Sequence, residues 1–238
     1  MGRAFEYRKA TKMKRWANMA KVFTKIGREI AIACKEGVAD PDNNPRLRMA
    51  IQNARHANMP KANVDAAIKR ASAKDADDYA EVAYEGYGPH GIAFLVETTT
   101  NNTTRTVANI RMYFNRSGGS LGTSGSVDYM FDRKATFRIK AEGHDLEELE
   151  LELIDFGLDS LKLEEDEIII YAEFTEFGTM AKALEDRKLE VLGSEKIRIP
   201  TVQKQLTDEQ AEDIIKLIDK FEEDEDVANV FCTMDMSE

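Results

Sequence analysis

The chain has 238 residues, of which 42% are apolar and 32% are charged, so it is long enough for two or three domains with buried cores. Its uninterrupted apolar runs are at most five residues long, which excludes a membrane-spanning helix, and we expect no secretory signal because the first residues contain no apolar stretch. The two cysteines, Cys34 and Cys232, are expected to be reduced thiols of a cytoplasmic protein.

Charge is distributed very unevenly along the chain, although the overall net charge is −11. Residues 1–75 contain 17 basic and 7 acidic residues, a local charge of +10. The other 163 residues contain 16 basic and 37 acidic residues, a local charge of −21. This asymmetry indicates a polyanionic partner for the first third of the chain, and the acidic remainder restricts which surface that partner can approach.

Three short helices are predicted within residues 1–78, after a basic arm at residues 1–16. Apolar residues at positions 19, 23, 26, 30 and 34 share one helix face, which predicts a helix over residues 18–34 that ends at Gly37. Asn44 followed by Pro45 is a typical helix start, and Pro60 marks another. Small apolar residues of the second and third helices pack inward, so their Lys and Arg side chains, Arg46, Arg48, Arg55, Lys61, Lys69 and Arg70, are expected to face outward.

After a polar linker at residues 74–78, the apolar period changes to two, which predicts strands over residues 82–86 and 92–96. Gly86, Gly88 and Gly91 between these strands match a dinucleotide fingerprint by spacing alone. That fingerprint requires a helix immediately afterwards, whereas a strand is predicted here, so the glycines are interpreted as a hairpin turn.

A polar loop is predicted over residues 98–104, followed by a helix that ends at Ser117-Gly118-Gly119. The glycine-rich stretch that begins there lacks the Gly-Lys-Ser/Thr ending of a phosphate-binding loop. Two interpretations remain: a mobile connection, or a loop whose backbone closely approaches RNA or another partner. Residues 127–131 then resume a strand pattern.

Residues 135–200 follow the order strand, helix, strand, strand, helix, strand, which is typical of a ferredoxin-like fold. A helix over residues 208–222 and a strand over residues 227–234 cannot form a domain alone, so they are predicted to return to the sheet that begins near Tyr79. The acidic run from Glu222 to Asp226 is interpreted as a solvated helix end.

The predicted fold class is therefore α+β and multidomain, with an N-terminal three-helix domain followed by two α/β domains, the last inserted in the second and ferredoxin-like. The predicted limits are residues 1–78 for the basic helical domain, residues 79–133 plus 205–238 for the α/β domain, and residues 134–204 for the inserted domain.

Catalysis has little support in the sequence. His56, His90 and His144 fall in different predicted elements without cysteines at metal-binding spacing, and Cys34 lies on an apolar helix face. We therefore expect no enzyme activity, no catalytic residue, no metal and no cofactor.

The basic cluster is the main functional candidate, because helices with this excess of charge repel one another unless a polyanion neutralises them. Phosphate contacts would give salt-sensitive binding without sequence readout. Trp16 could stack on unpaired bases or fill the helical core, and both interpretations stay open. The candidate nucleic-acid-binding residues are Arg8, Lys9, Lys12, Lys14, Arg15, Trp16, Lys21, Lys25, Arg28, Arg46, Arg48, Arg55, Lys61, Lys69 and Arg70. A second candidate contact comprises Asn101, Asn102, Arg105, Gly118, Gly119 and Gly122.

Several sequence blocks resemble the YebC family. They are Trp16-Ala17-Asn18, Phe23-Thr24-Lys25, Arg28-Glu29-Ile30, DPDNNPRLRMAI from Asp40, NMPKANVDAAIKR from Asn58, YEGYGPHG from Tyr84, NNTTRT from Asn101 and GGSLGTSGSV from Gly118. The resemblance runs from about residue 16 to the C-terminus and is densest in the first 130 residues. A short GHSKW block that often opens family members is replaced here by GRAFEYRKA, so no role of that block can be assigned to particular residues.

The resemblance implies a regulator of gene expression with a helical first domain and two α/β domains. The family is commonly described as DNA-binding transcriptional regulators, whereas members related to the mitochondrial translational activator of cytochrome oxidase act on the ribosome and ease elongation through stall-prone sequences. We favour ribosomal RNA as the target, with the ribosome and tRNA as partners and no membrane. Promoter DNA is the alternative, since the helix from Pro45 offers Arg46, Arg48, Gln52, Asn53 and Arg55 for base contacts. A nucleotide-handling enzyme is the third hypothesis.

Overall fold

The structure is a computed structural model that describes residues 19–73 and 77–236, with side chains from residue 21. Its elements, in chain order, are α1 (Met19–Glu36), α2 (Pro45–His56), α3 (Lys61–Ala71), β1 (Ala80–Tyr87), β2 (Ala93–Thr100), α4 (Thr103–Arg116), β3 (Ser120–Leu121), β4 (Phe131–Lys140), α5 (Leu146–Leu153), β5 (Leu158–Glu164), β6 (Glu167–Glu173), α6 (Phe177–Asp186), β7 (Val191–Pro200), α7 (Asp208–Glu223) and β8 (Val227–Cys232).

The three N-terminal helices enclose a small core in which half of the buried residues are alanines, and this lets the helices approach closely. The buried residues are Ile26, Ile30, Ala33, Leu47, Ala50, Ala54, Val64 and Ala67. Asn44, 5% exposed, joins α1 to α2. Its Oδ1 accepts a hydrogen bond from the Leu47 amide (3.1 Å), which caps α2, while its Nδ2 donates to the carbonyl of Ala33 (2.7 Å) at the end of α1.

The first sheet has the order β3-β1-β2-β8, with every neighbouring pair antiparallel. Helices α4 and α7 pack against it around Phe94, Phe114 and Phe221, whose ring centroids lie 5.0–6.0 Å apart. The final strand, β8, therefore returns to the sheet that begins after the helical region, as predicted.

The second sheet has the order β5-β6-β4-β7, again entirely antiparallel. This is the strand order of a ferredoxin-like fold. Helices α5 and α6 cover one face through Leu149, Leu153, Met180 and Leu184. The predicted α+β architecture, including the ferredoxin-like order, is confirmed.

The structure differs from the predictions at the end of β2 and in the turn before β4. The predicted polar loop over residues 98–104 is wrong at its start, because β2 runs to Thr100 between two neighbouring strands and buries Thr98, Thr99 and Thr100. β-branched threonines suit this position. The strand predicted over residues 127–131 is instead a 3₁₀ turn at Asp128–Met130, followed by β4.

β4 begins at Phe131 and pairs with β7 as far as Pro200. An inserted domain requires strands before and after it to pair with each other, and β2 pairs with β8 in this way. The domain limits given above remain predictions. The Gly86–Gly91 segment forms the expected hairpin, because β1 and β2 are adjacent and antiparallel.

Within residues 19–73 and 77–236, no helix is long and apolar enough to cross a membrane.

Candidate nucleic-acid interface

The predicted contact residues fall into three groups in the structure. Arg8, Lys9, Lys12, Lys14, Arg15 and Trp16 lie outside the described residues. Lys21, Lys25, Arg28, Arg46 and Arg48 contact other parts of the protein itself. Arg55, Lys61, Lys69 and Arg70 are exposed.

The cations of α1 bind the end of α7 and the start of β8. Lys21 Nζ donates to the carbonyl of Glu223 (3.4 Å) and Lys25 Nζ to that of Ala228 (3.1 Å). Arg28 Nη1 contacts the Asp226 carboxylate at 3.1 Å and the carbonyl of Glu225. Carbonyls at a helix C-terminus carry partial negative charge, so this is a favourable place for cations. Part of the basic charge therefore holds the helical domain against the acidic body.

Asp226 is the centre of this contact, and its side chain is only 4% exposed. Its Oδ2 accepts hydrogen bonds from Arg105 Nη2 (2.6 Å), Thr106 Oγ1 (2.8 Å) and Thr100 Oγ1 (3.1 Å), while Oδ1 faces Arg28. The interpretation of this acidic run as a solvated helix end is wrong for Asp226, because two arginines and two hydroxyls enclose its carboxylate.

The environment of Asp226 favours its ionised form. Burial on its own raises the pKa of the carboxyl, but the hydrogen bonds from Arg105, Thr106 and Thr100 outweigh burial and hold the pKa below its usual value. Next to it, burial and then the Asp224 carboxylate raise the pKa of Tyr113 to about 12. The Tyr113 hydroxyl therefore stays protonated and donates to Asp224 at 3.0 Å.

An open cavity of about 390 Å³ adjoins this cluster and is lined by Arg28, Asn101, Arg105, Asp224, Glu225 and Asp226. The lining contains two cations, Arg28 and Arg105, and three acidic residues. Both arginines are already bound to Asp226. The lining therefore has more carboxylates than guanidinium groups and no excess of positive charge for an anion.

Helix α2, which contains the side chains predicted to contact bases, packs against the rest of the protein. Arg46 forms ion pairs with Glu36 and Glu81. Asn53 exchanges two hydrogen bonds of 3.0 Å with the backbone of Ser194 on the edge strand β7. Arg48 Nη1 lies 3.3 Å from the Glu185 carboxylate, and its Nε donates to the carbonyl of Pro41 (3.2 Å).

The remaining cations form what we call the cationic face: Arg55, Lys61, Lys69 and Arg70. All four side chains are exposed, at the end of α2 and along α3. Within the described part of the chain none of them forms an ion pair; Arg70 Nε donates only to the carbonyl of Ala66 in its own helix (3.4 Å). This face can bind phosphates without first breaking an internal ion pair.

The second predicted contact is divided between the two ends of α4. Asn102 caps the helix start by accepting a hydrogen bond from the Arg105 amide (3.0 Å), and Arg105 is bound to Asp226. Gly118, Gly119 and Gly122 follow the other end, about 20 Å away for a helix of 14 residues. The NNTTRT motif thus holds the structure together, whereas the glycine loop is a separate surface.

Glu85 organises the glycine loop, a role that its local sequence does not reveal. The residue is 6% exposed, and its carboxylate accepts hydrogen bonds from the amides of Gly125 (2.7 Å), Val127 (2.7 Å) and Asp128 (2.8 Å). Gly119 allows the loop to rest on β1, since a Cβ there would lie 2.3 Å from the carbonyl oxygen of Tyr87. The loop is therefore anchored at both ends, and residues 122–125 between the anchors are exposed.

Arg198 is another residue that the sequence analysis missed. Its side chain, 7% exposed, joins the two sheets by binding Glu97 through Nε (3.1 Å) and Asp128 through Nη1 (2.6 Å). Within residues 19–73 and 77–236, no group of three or more His, Cys, Asp or Glu side chains is placed to hold a metal ion.

Comparison with known proteins identifies relatives along nearly the whole chain. A family model described as the TACO1/YebC protein N-terminal domain matches residues 3–74, and one described as the TACO1/YebC second and third domain matches residues 79–234. A protein of Parabacteroides distasonis named "Probable transcriptional regulatory protein" is 60% identical over 98% of this chain and 97% of its own length. A Flavobacterium johnsoniae protein of the same name is 58% identical over 98% of this chain and 99% of its own length.

Among solved structures, the crystal structure of a conserved hypothetical protein from Aquifex aeolicus resembles this fold. Its TM-score is 0.80 at 36% sequence identity, and the match covers 92% of this chain and 91% of that one.

Proposed function

Because the chain belongs to the YebC family, we propose that it is a non-catalytic regulator of gene expression in the cytoplasm, and that it acts by binding ribosomal RNA through the cationic face. On the ribosome it would contact RNA and tRNA and ease elongation through stall-prone sequences. The observation that carries this proposal is the division of the basic residues between internal ion pairs and the exposed cationic face.

That division favours phosphate contacts over base readout. Of the five α2 side chains with donors for base edges, Arg46, Arg48 and Asn53 are bound within the protein, which leaves Gln52 and Arg55. Arg55, Lys61, Lys69 and Arg70 are free to meet phosphates, which gives affinity without sequence information. Structured RNA offers phosphates in a fixed arrangement, so a rigid cationic face can recognise it by shape.

A DNA-binding transcriptional regulator is the second candidate, and the names of the relatives favour it. Base readout by α2 would require this helix to leave β7 and its ion pairs, or another element to enter the major groove. An enzyme acting on nucleotides is the third and least supported hypothesis.

Ribosome co-migration on a sucrose gradient tests the proposal. We expect the wild type to co-migrate at low salt and to dissociate as salt rises, because phosphate binding releases counterions. The double variant Lys69→Glu/Arg70→Glu should be lost from the ribosomal fractions. The matched control is Lys182→Glu/Lys188→Glu, which makes the same charge change at exposed positions of the ferredoxin-like domain.

Arg46 and Arg48 are unsuitable for this test, because their replacement also breaks contacts inside the protein. If the wild type stays off ribosomes but protects one promoter sequence, the ribosomal proposal is wrong and the DNA alternative is supported. Equal loss of both double variants from the ribosomal fractions would show general charge repulsion and would also contradict the proposal.

A further inference from the structure

Two exposed tyrosines flank the glycine loop. Within the described part of the chain, Tyr87 (37% exposed) and Tyr129 (73% exposed) are the aromatic side chains that face solvent. Burial and then the neighbouring Tyr129 side chain raise the pKa of Tyr87, so the two tyrosines lie together although they are 42 positions apart in the sequence. Exposed aromatic rings that lie together are uncommon on a soluble surface and mark binding sites.

The loop and both rings are held by the same contacts. Tyr87 ends β1, where its backbone pairs with Ser120 and lies against Gly119. Tyr129 follows Asp128, whose amide is one of the three bound by the Glu85 carboxylate. The Glu85 clamp therefore fixes the base of the loop and the turn that presents Tyr129. A preorganised site loses little conformational entropy when it binds a ligand.

The electrostatics of this patch differ from those of the acidic body around it. The Glu85 carboxylate is saturated by amides, and Asp128 is paired with Arg198 at 2.6 Å. Arg116, which is exposed, ends α4 immediately before the loop, and Arg133, 52% exposed, follows Tyr129 in β4, where its Nη2 lies 4.0 Å from the Asp128 carboxylate. The patch thus combines aromatic rings, flanking cations and no unpaired carboxylate among the groups named.

We propose that Tyr87, Tyr129 and loop residues 122–125 form a stacking site for an unpaired base of single-stranded RNA. Aromatic rings bind such bases through their faces, and neighbouring cations bind the adjoining phosphates. Glycine at positions 122 and 125 lets the RNA backbone approach the loop closely. The inference deepens the proposed function, since it adds a base contact on the acidic body, remote in sequence from the cationic face.

The test uses the full-length protein and a short unstructured oligoribonucleotide that contains one 2-aminopurine. Binding is followed by fluorescence anisotropy, and stacking by quenching of the 2-aminopurine fluorescence. For the variant Tyr87→Leu/Tyr129→Leu we expect affinity to fall by about tenfold or more and quenching to be lost, because leucine keeps apolar surface but has no ring face. Tyr87→Phe/Tyr129→Phe keeps the rings and should quench like the wild type.

Leu151→Ala is the control for loss of exposed apolar surface elsewhere, since Leu151 is 75% exposed on α5. Wild-type affinity and quenching in the leucine variant would overturn the inference, as would absence of quenching in the wild type. A leucine variant that stays quenched but no longer binds ribosomes would indicate a protein partner at this patch and would also overturn it.

Failure of the proposed function is distinguishable from failure of this inference. If Lys69→Glu/Arg70→Glu still binds ribosomes as the wild type does, while the leucine variant loses quenching, the cationic-face proposal fails and the stacking site stands. If the charge variant leaves ribosomes and the leucine variant behaves like the wild type in every assay, the stacking site fails and the proposed function stands.

Discussion

Asp226 connects three parts of the chain through one carboxylate: Arg28 of α1, Arg105 and Thr106 of α4, and Thr100 of β2. A buried ion pair adds little net stability when it replaces apolar packing, but removing one partner leaves the other charge buried and unpaired. Arg28 is the partner at risk, since its side chain is only 12% exposed.

We therefore expect Asp226→Asn to lower the free energy of unfolding by about 3 kcal/mol, measured by urea denaturation. Asp155→Asn, at an exposed position, is the control and should change stability by less than about 0.5 kcal/mol. Equal stability of the two variants would mean that the Asp226 cluster does not hold the fold together.

Asp226 also gives stability a defined pH dependence. Its pKa in the folded protein lies below the value of about 3.9 expected in the unfolded chain. Its contribution is therefore fully present above that unfolded value and is lost as pH falls through the folded pKa. Between pH 6 and pH 3, urea denaturation should show a smaller loss of stability for Asp226→Asn than for the wild type. Parallel curves would contradict this assignment.

At the scale of elements, the contact between α2 and β7 depends on Asn53. β7 is an edge strand, and edge strands carry unpaired backbone groups that favour aggregation. The Asn53 amide satisfies both the N–H and the carbonyl of Ser194, as a neighbouring strand would do. The helical domain thus covers part of an exposed sheet edge.

Asn53→Ala should remove protection of the Ser194 amide in hydrogen exchange and lower stability by about 1–3 kcal/mol, because two buried backbone groups lose their partner. The amides of β4 and β6, which lie in the same sheet as Ser194, should keep their protection. Asn63→Ala, at an exposed position of α3, provides the control for loss of an asparagine. Unchanged exchange at Ser194 would show that water or another group replaces Asn53 there.

Most elements could be predicted because their apolar residues repeat with helix or strand periodicity, as in α1, β4 and α7. β3 could not, since two residues contain no period and exist as a strand only through pairing with β1. Thr98, Thr99 and Thr100 have the composition of a loop, but they are buried because β1 and β8 lie on either side of β2.

The candidate site was less predictable than the fold. Local sequence does not reveal whether an arginine is free or paired, and Arg28 meets Asp226 across 198 positions. Arg48 and Arg55 cannot be distinguished in the sequence, yet Arg48 lies beside Glu185 and Arg55 is exposed. Tyr87 and Tyr129 become one patch only when the loop between them is folded.

At the scale of the whole molecule, the basic domain is attracted to the acidic body, and α1 contacts that body directly. Arg28→Glu would place a second carboxylate beside Asp226. We expect the helical domain to separate from the body, which small-angle X-ray scattering would detect as a larger radius of gyration while circular dichroism keeps its helical signal. Lys182→Glu should leave the radius unchanged. An unchanged radius for Arg28→Glu would show that the other contacts, made by Lys21, Lys25, Arg46 and Asn53, are sufficient for docking.

The position of β8 next to β2 has a consequence for synthesis of the chain. As residues emerge from a ribosome, the helical domain and the ferredoxin-like domain can each fold when their own segments are complete. The first sheet must wait for β8, and the docking site of α1 must wait for Asp226, which lies directly before that strand. A nascent chain therefore carries α1 without its acidic partner for most of its synthesis, and the surface that binds the Lys21, Lys25 and Arg28 side chains is the last to be assembled.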